Sequence, residues 1–260
     1  MSDDATTVRT VLVTGAAGGM GAHHAERLAA DGWHVCAADI TDTAEVVDSI
    51  TGSGGRATGY ELDVGSPRAW RSVIDAIRSD LGRLDGLVNN AGVSRRLSFL
   101  DTPDDIWEQT LRVNLAGPFY GMKAAHDLLS ETGGGSIVNV SSIAGLVGYF
   151  SPAYAASKWG LRGLSKSAAG EFAAGGIRVN SIHPGLVGTQ LLADSGAFVD
   201  ASLGSVPWGR MATLDEVSDL VAYLLSGSSG YITGAEITID GGLTSNGLYH
   251  RITNESGGAF

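Results

Sequence analysis

The chain has one cysteine and six prolines in 260 residues, and it is short of positive charge, with 17 Lys and Arg against 28 Asp and Glu. Each shortage excludes something. A lone thiol forms no internal disulfide, and the place of Cys36 in an apolar run predicts a packed core side chain. The six histidines include the adjacent pair His23 and His24, with no cysteine or carboxylate cluster at ligand spacing, so no protein-built catalytic metal site is expected. A formal charge of −11 is a poor match for nucleic acid or anionic membrane surfaces. No apolar run approaches the ~18 residues of a membrane span. Residues 1–7 are polar and acidic, unlike a signal peptide, and are expected to fray. A cytoplasmic protein is therefore expected. No proline-rich linker divides the chain, and a hydrophobic content of 43% excludes disorder.

What is present is an alternation of apolar strands and amphipathic helices. Thr10–Thr14 is a continuous apolar run of the kind that forms a central parallel strand buried on both faces. Gly15, Gly19 and Gly21 follow at once. They permit a tight turn, and the amides opening the next helix offer a pyrophosphate both donors and a favourable dipole end. An ordinary glycine turn is the plainer reading, but its position between the first strand and a helix ending near Gly32 favours the anion site. A second strand ends in Asp39, about twenty residues past the loop, where a carboxylate accepts the ribose hydroxyls of adenosine and repels a 2′-phosphate. Ala16, Ala17, Ile40 and Thr41 bring no cation to neutralise such a phosphate, so NAD is expected over NADP.

Further strands are expected at 56–64, 84–89, 135–142, 177–182 and 234–242. Ser66-Pro67 predicts a helix start, with apolar positions 70, 73, 74, 77 and 81 on one face and Gly82 at the end. A long helix is expected over 102–130. Within it Pro118 leaves the Asn114 carbonyl without its amide partner, which predicts a local kink. Thr213 to Glu216 reads as a capping box. Seven strands alternating with helices predict a doubly wound α/β fold, a parallel sheet with helices on both faces and a ligand at its carboxyl ends.

Ser151-Pro152 reads as a helix start, a side-chain acceptor followed by a ring preset for the first turn. Tyr154 and Lys158 then project from one face a turn apart. A phenol titrates near ~10, and a fixed neighbouring cation favours its anion, which suits Tyr154 to general acid/base work. Tyr and Lys at this spacing also occur on many helices as a plain solvated face. Ser141 and Ser142 end the strand before this helix and point to opposite faces.

Taken together, Thr14-Gly15 through Gly19 and Gly21, Asn89-Asn90-Ala91-Gly92, Ser142, and Tyr154 with Lys158 resemble the short-chain dehydrogenase/reductase superfamily, in its compact single-domain branch. The resemblance runs from about Val8 to Gly242 and implies that residues 1–260 form one NAD-binding oxidoreductase domain of Rossmann type. By that likeness, Asn114, Ser142, Tyr154 and Lys158 are the catalytic set. Ser142 is favoured over Ser141 for the reacting oxygen, Lys158 bonds the nicotinamide ribose, and the freed Asn114 carbonyl holds a water in a proton relay. Cofactor contacts are expected from Gly15, Gly19, Met20, Gly21, Asp39, Asp63, Val64, Asn90, Ala91, Gly92, Pro184, Gly185, Val187 and Thr189, together with Tyr154 and Lys158. A homotetramer is implied too. His183 precedes Pro184 and is held extended, so packing is expected of it rather than catalysis.

The expected substrate is a hydrophobic, cyclic secondary alcohol or its ketone. Its pocket is assigned to Ser94, Val147, Phe150, Leu186 and Leu191, with residues 190–211 as a substrate loop that includes Leu192. Arg95 and Arg96, the only nearby anion clamps, read as a solvated loop face. Residues 244–260 read as a tail, an arm to a partner or disordered. Two other functions remain: an acyl-carrier-linked ketoreductase, opposed by Asp39 and the negative charge, and a dinucleotide-binding regulator without turnover, opposed by the complete catalytic set.

Overall fold

The computed structural model describes residues 8–189 and 196–258. The strands are β1 (Thr10–Thr14), β2 (His34–Asp39), β3 (Arg56–Glu61), β4 (Gly86–Asn89), β5 (Gly135–Val140), β6 (Ile177–Pro184) and β7 (Glu236–Ile239). They form a seven-stranded sheet in the order β3-β2-β1-β4-β5-β6-β7, with every pairing parallel. The order reverses between β1 and β4, which opens a crevice at their carboxyl ends. The helices are α1 (Gly19–Ala30), α2 (Ala44–Gly52), α3 (Pro67–Leu81), α4 (Asp104–Leu111), α5 (Gly117–Glu131), α6 (Pro152–Phe172), α7 (Gly196–Leu203), α8 (Leu214–Leu225) and α9 (Leu243–Glu255). Among the described residues none is long and apolar enough to cross a membrane.

Strand alternation divides the core. Val11, Val13, Val35 and Val88 point to one face and pack with Leu28 of α1 and Val217 and Val221 of α8. Leu12, Cys36, Leu87 and Ile137 point to the other and pack with Trp70 and Ile77 of α3 and Leu128 of α5. Side chains of this size each contribute about 1.5–3 kcal/mol when fully buried. Cys36 is a core thiol, its pKa pushed up to about 12 by burial.

Three local expectations change. The long helix is two helices, α4 and α5, joined by one turn of π-helix at Arg112–Ala116. The Gly117 amide bonds Arg112 O, five residues back, and Pro118 sits in the first turn of α5, where its missing amide is least costly. Ser151 stands at the start of α6 but makes no cap bond. Its Oγ donates instead to Arg95 O at 2.6 Å. Residues 243–255 are helical rather than a loose tail, because the Asp240 carboxylate accepts from Gly242 N at 2.9 Å, Thr244 N at 2.7 Å and Thr244 Oγ1 at 2.6 Å and so satisfies the opening turn. The other predicted starts hold: Ser66 Oγ accepts from Ala69 N at 3.2 Å, and Thr213 and Glu216 complete a capping box.

Candidate active site

The loops after β1 and β4 are sewn together. Thr14 Oγ1 accepts from Asn90 N at 3.0 Å and Ala91 N at 3.1 Å, and Asn90 Nδ2 donates to Thr14 O at 3.0 Å. Gly15 has φ +67°, and a Cβ there would stand 2.9 Å from Ala91 Cα; one on Gly21 would meet Gly15 O at 1.9 Å. Only glycine closes this turn. At Gly18 and Gly19, by contrast, a Cβ would meet nothing within 4 Å. Backbone amides opening α1 therefore border open space, as an anion cradle requires.

From this turn a cleft extends along Gly15, Asp39, Asp63, Val64, Ala91 and Gly92. The Asp39 carboxylate is fixed by Ala17 N at 3.1 Å and by Thr41 N at 3.0 Å, and its remaining lone pairs can take ribose hydroxyls. Arg112, on the same wall, is ion-paired with Asp63 at 2.9 Å. These residues fit the adenosine half of a dinucleotide. Asn90 lies beneath the loop, holding backbone rather than lining the cleft.

A second cleft is lined by Tyr154, Ser142, Met20, Pro184, Gly185 and Val187, and also by Thr189, Leu186 and Ser94. The Ser142 hydroxyl lies close enough to the Tyr154 phenol to oppose the rise in its pKa and accepts from Ala144 N at 3.1 Å. Ser141 Oγ donates to Lys158 O at 3.2 Å, deep in the fold, so Ser142 is the serine that meets the tyrosine. The loop carrying Ser142 is also tied to α6 and β7: Arg162 Nη1 donates to Gly145 O at 2.8 Å, and its Nε pairs with Glu236 at 2.5 Å.

Behind Tyr154, Lys158 and Asn114 are buried. A Cβ on Gly92 would stand 3.3 Å from Asn114 Oδ1 and 3.7 Å from Lys158 Nζ, so the three converge. Asn114 Oδ1 accepts from Val93 N at 2.8 Å, and its Nδ2 donates to Val93 O at 2.9 Å and to Ser157 at 3.2 Å. Lys158 Nζ donates to Val140 O at 2.8 Å and lies 5.6 Å from the Tyr154 ring centroid. The expected direct lowering of the phenol by this ammonium gives way to a different balance. Burial raises the Tyr154 pKa above the usual tyrosine value, and the Ser142 hydrogen bond and the Arg96 charge oppose it. Burial also weakens the ammonium itself, pushing Lys158 down to about 8.

Arg96, Tyr149 and Phe198 also line this cleft and were not foreseen in that role. Tyr149 stands 6.0 Å from Tyr154, ring to ring. Val147 and Phe150 are 41% and 48% exposed and stand outside the wall, Phe150 stacking on Tyr149 at 4.5 Å. Leu191 and Leu192 lie outside the described residues, as does all of the predicted substrate loop before α7, residues 190–195. His183 is buried as expected, but it also buttresses the site, with Nδ1 3.0 Å from Ser142 O.

A family model described as enoyl-(acyl carrier protein) reductase matches residues 15–244. The chain is 43% identical to the trans-4-hydroxycyclohexanecarboxylate dehydrogenase of Sinomonas cyclohexanicum, over 93% of this chain and 95% of that one. It is 42% identical to the 3-alpha-(or 20-beta)-hydroxysteroid dehydrogenase of Mycobacterium tuberculosis, over 93% of this chain and 91% of that one. Among solved structures, a short-chain type dehydrogenase/reductase from Mycobacterium marinum superposes with a TM-score of 0.88 at 33% identity, covering 91% of this chain and 96% of that one.

Proposed function

The chain belongs to the short-chain dehydrogenase/reductase family and is an alcohol dehydrogenase, and on that footing we propose that it interconverts a cyclic, largely hydrophobic secondary alcohol and its ketone with NAD(H). The observation that carries the reading is that Ser142 and Tyr154 line one cleft beside the β6 loop, with the Lys158 ammonium 5.6 Å from the Tyr154 ring centroid. When bound, the nicotinamide supplies the hydride acceptor or donor. The adenosine half rests on Gly15, Asp39, Asp63 and Val64, and the nicotinamide end on Pro184, Gly185, Val187 and Thr189.

In the oxidative direction Tyr154 takes the hydroxyl proton, and Ser142 hydrogen-bonds the same oxygen. Lys158, lowered by burial to a pKa of about 8, would bond the nicotinamide ribose and, while protonated, favour the phenolate of Tyr154 over the phenol. Asn114 holds the backbone behind it, with its carbonyl left to a water that leads the proton outward. The choice of NAD rests on Asp39 at the tip of β2, close to where a 2′-phosphate would sit. The ring substrate is supported by the apolar wall of Met20, Ile143, Leu186 and Val187 and by the relatives' names, which specify a hydroxycyclohexanecarboxylate and a hydroxysteroid.

A homotetramer fits the exposed large apolar side chains, among them Trp107, Phe119, Trp159, Tyr231, Leu248 and Tyr249. The test of the function is a screen of cyclic and aliphatic secondary alcohols with NAD and with NADP, followed by absorbance of the reduced cofactor. Oxidation of ring alcohols with NAD at much higher kcat/KM than with NADP is expected. Preference for NADP, or no ring alcohol oxidised, overturns the reading.

A further inference from the structure

Tyr154, Lys158, Arg162 and Lys166 follow one another at intervals of four along α6. That spacing makes them one stripe of the helix. Tyr154 lines the catalytic cleft and Lys158 lies behind it, and the turn after them presents Arg162, whose guanidinium is held on three sides. Its Nε and Nη2 donate to the two oxygens of Glu236 on β7, its Nη1 donates to Gly145 O at 2.8 Å, and its carbon lies 4.7 Å from the Trp159 ring centroid. Gly145 ends the 3₁₀ turn Ile143–Gly145 that Ser142 opens, and it is buried. A helical turn leaves its last carbonyls without partners of its own, and burial keeps water from them. Arg162 supplies the missing donor. The turn also sits hard against the helix, since a Cβ on Gly145 would stand 2.8 Å from Lys158 O and 3.1 Å from Ser141 Oγ.

We propose that Arg162 is a positioning residue for the dehydrogenase reaction: by holding Gly145 O from the helix that carries Tyr154, it fixes Ser142 relative to the phenol. The inference rests on the reading above, in which Ser142 and Tyr154 act on one substrate oxygen. Glu236 sets the direction of the fork, because a guanidinium paired with both oxygens of a carboxylate has its remaining nitrogen aimed along one line, here at Gly145. An ammonium is a point charge without that plane and cannot serve both partners. His183 holds the other end of the turn, with Nδ1 3.0 Å from Ser142 O. The serine is thus supported from β6 at its own carbonyl and from α6 at the carbonyl that closes its turn.

The experiment is a double-mutant cycle of Arg162→Met and Ser142→Ala, read as kcat for a ring alcohol, NAD affinity by calorimetric titration and melting temperature. Arg162→Met alone is expected to lower kcat by roughly tenfold to a hundredfold, the loss that displacing a reacting group by about 1 Å can cause, while NAD affinity stays close to native. In the Ser142→Ala background the same substitution should change kcat by less than about twofold, because the group it positions is gone. A pH profile separates positioning from a weakened fold. Ser142 opposes the rise that burial causes in the Tyr154 pKa, so loosening it should move the rising limb of kcat for oxidation toward higher pH. Among the described residues, the ionisable groups facing the phenol are Lys158 from its own helix, Tyr149 from the loop before it and Arg96 from the loop after β4, and all three are kept. Arg162→Lys retains a charge for Glu236 and should show an intermediate kcat; it replaces Arg162→Met in the cycle if that variant does not fold. Lys166→Met removes the other cation on Glu236, 3.1 Å away, without touching the turn, and should keep native kcat. With Ser142→Ala impaired, three results each overturn the proposal and leave the reading of the site standing: native kcat in the Arg162 variants, equal losses in both Ser142 backgrounds, or a matching loss in Lys166→Met. Native turnover in Ser142→Ala itself sinks that reading, and the positioning role with it.

Discussion

Nδ1 of His183 lies 3.0 Å from the carbonyl oxygen of Ser142. A carbonyl only accepts, so Nδ1 carries the proton, which leaves Nε2 to accept from Ser181 Oγ at 3.2 Å. Burial lowers the His183 pKa from its ordinary value and so favours this neutral form. Strand β6 thereby props Ser142, which lines one cleft with Tyr154, the proposed acid/base. In this way β6 sets the geometry at the end of β5.

Replacing this support should impair chemistry more than it impairs folding. His183→Phe keeps the packing but removes the donor, and kcat is expected to fall by roughly tenfold, the loss of about one hydrogen bond's worth of positioning at ~1.4 kcal/mol. His183→Asn, which retains a side-chain N–H, should recover part of it. Steady-state kinetics and melting curves of both variants check this. A lower melting temperature with native kcat would show a purely structural histidine.

His24 gives the fold an acid sensitivity. It is buried, and its Nδ1 lies 2.8 Å from Ser218 Oγ, which joins α1 to α8. Burial pushes its pKa down to about 4 from 6.5. The unfolded chain therefore binds this proton more readily, so the contribution is complete above pH 6.5 and is lost as pH falls toward 4. Between pH 7 and pH 5 the expected loss is roughly 2 kcal/mol at about 1.4 kcal/mol per pH unit. Urea denaturation at the two pH values should show a shallower loss in His24→Asn than in the native chain. Equal losses would contradict the assignment.

The first turn offers a steric contrast. Gly21→Ala places a methyl 1.9 Å from Gly15 O, a backbone atom that cannot move without opening the turn. A cost of about 2 kcal/mol or more and at least tenfold weaker NAD binding are expected. Gly18→Ala meets nothing within 4 Å, and its backbone is already extended at φ −172°, so its melting temperature should stay close to native. Thermal melts and NAD titrations of the pair check both halves.

Much of this molecule was legible because the deciding interactions are local. A glycine turn between an apolar strand and a helix, a carboxylate at a strand tip, and Tyr154 a turn from Lys158 follow from period and chain geometry, and all sit where that reading puts them. What escaped depends on neighbours distant in sequence. Arg96 belongs to the cleft because the β4 loop folds against α6 and α7, bringing it onto Phe198, a partner far along the chain. Tyr149 follows from the same packing, and Phe150 beside it ends up outside. The cap of α9 is Asp240, an acid that looks like part of a glycine turn until its three bonds to residues 242 and 244 are seen. The spacing puts Lys158 a turn from Tyr154 but reports proximity and not the cost of burying the ammonium, which lowers its pKa to about 8.

The proton transfer assigned to the buried phenol is the centre of the account, and Tyr154→Phe tests it with the least disturbance, because only a hydroxyl is removed. NAD binding, measured by calorimetric titration, should persist in the variant, while oxidation of a ring alcohol should fall by 100-fold or more, the range of general acid/base catalysis. Turnover within a few-fold of native, with NAD still bound, would contradict it.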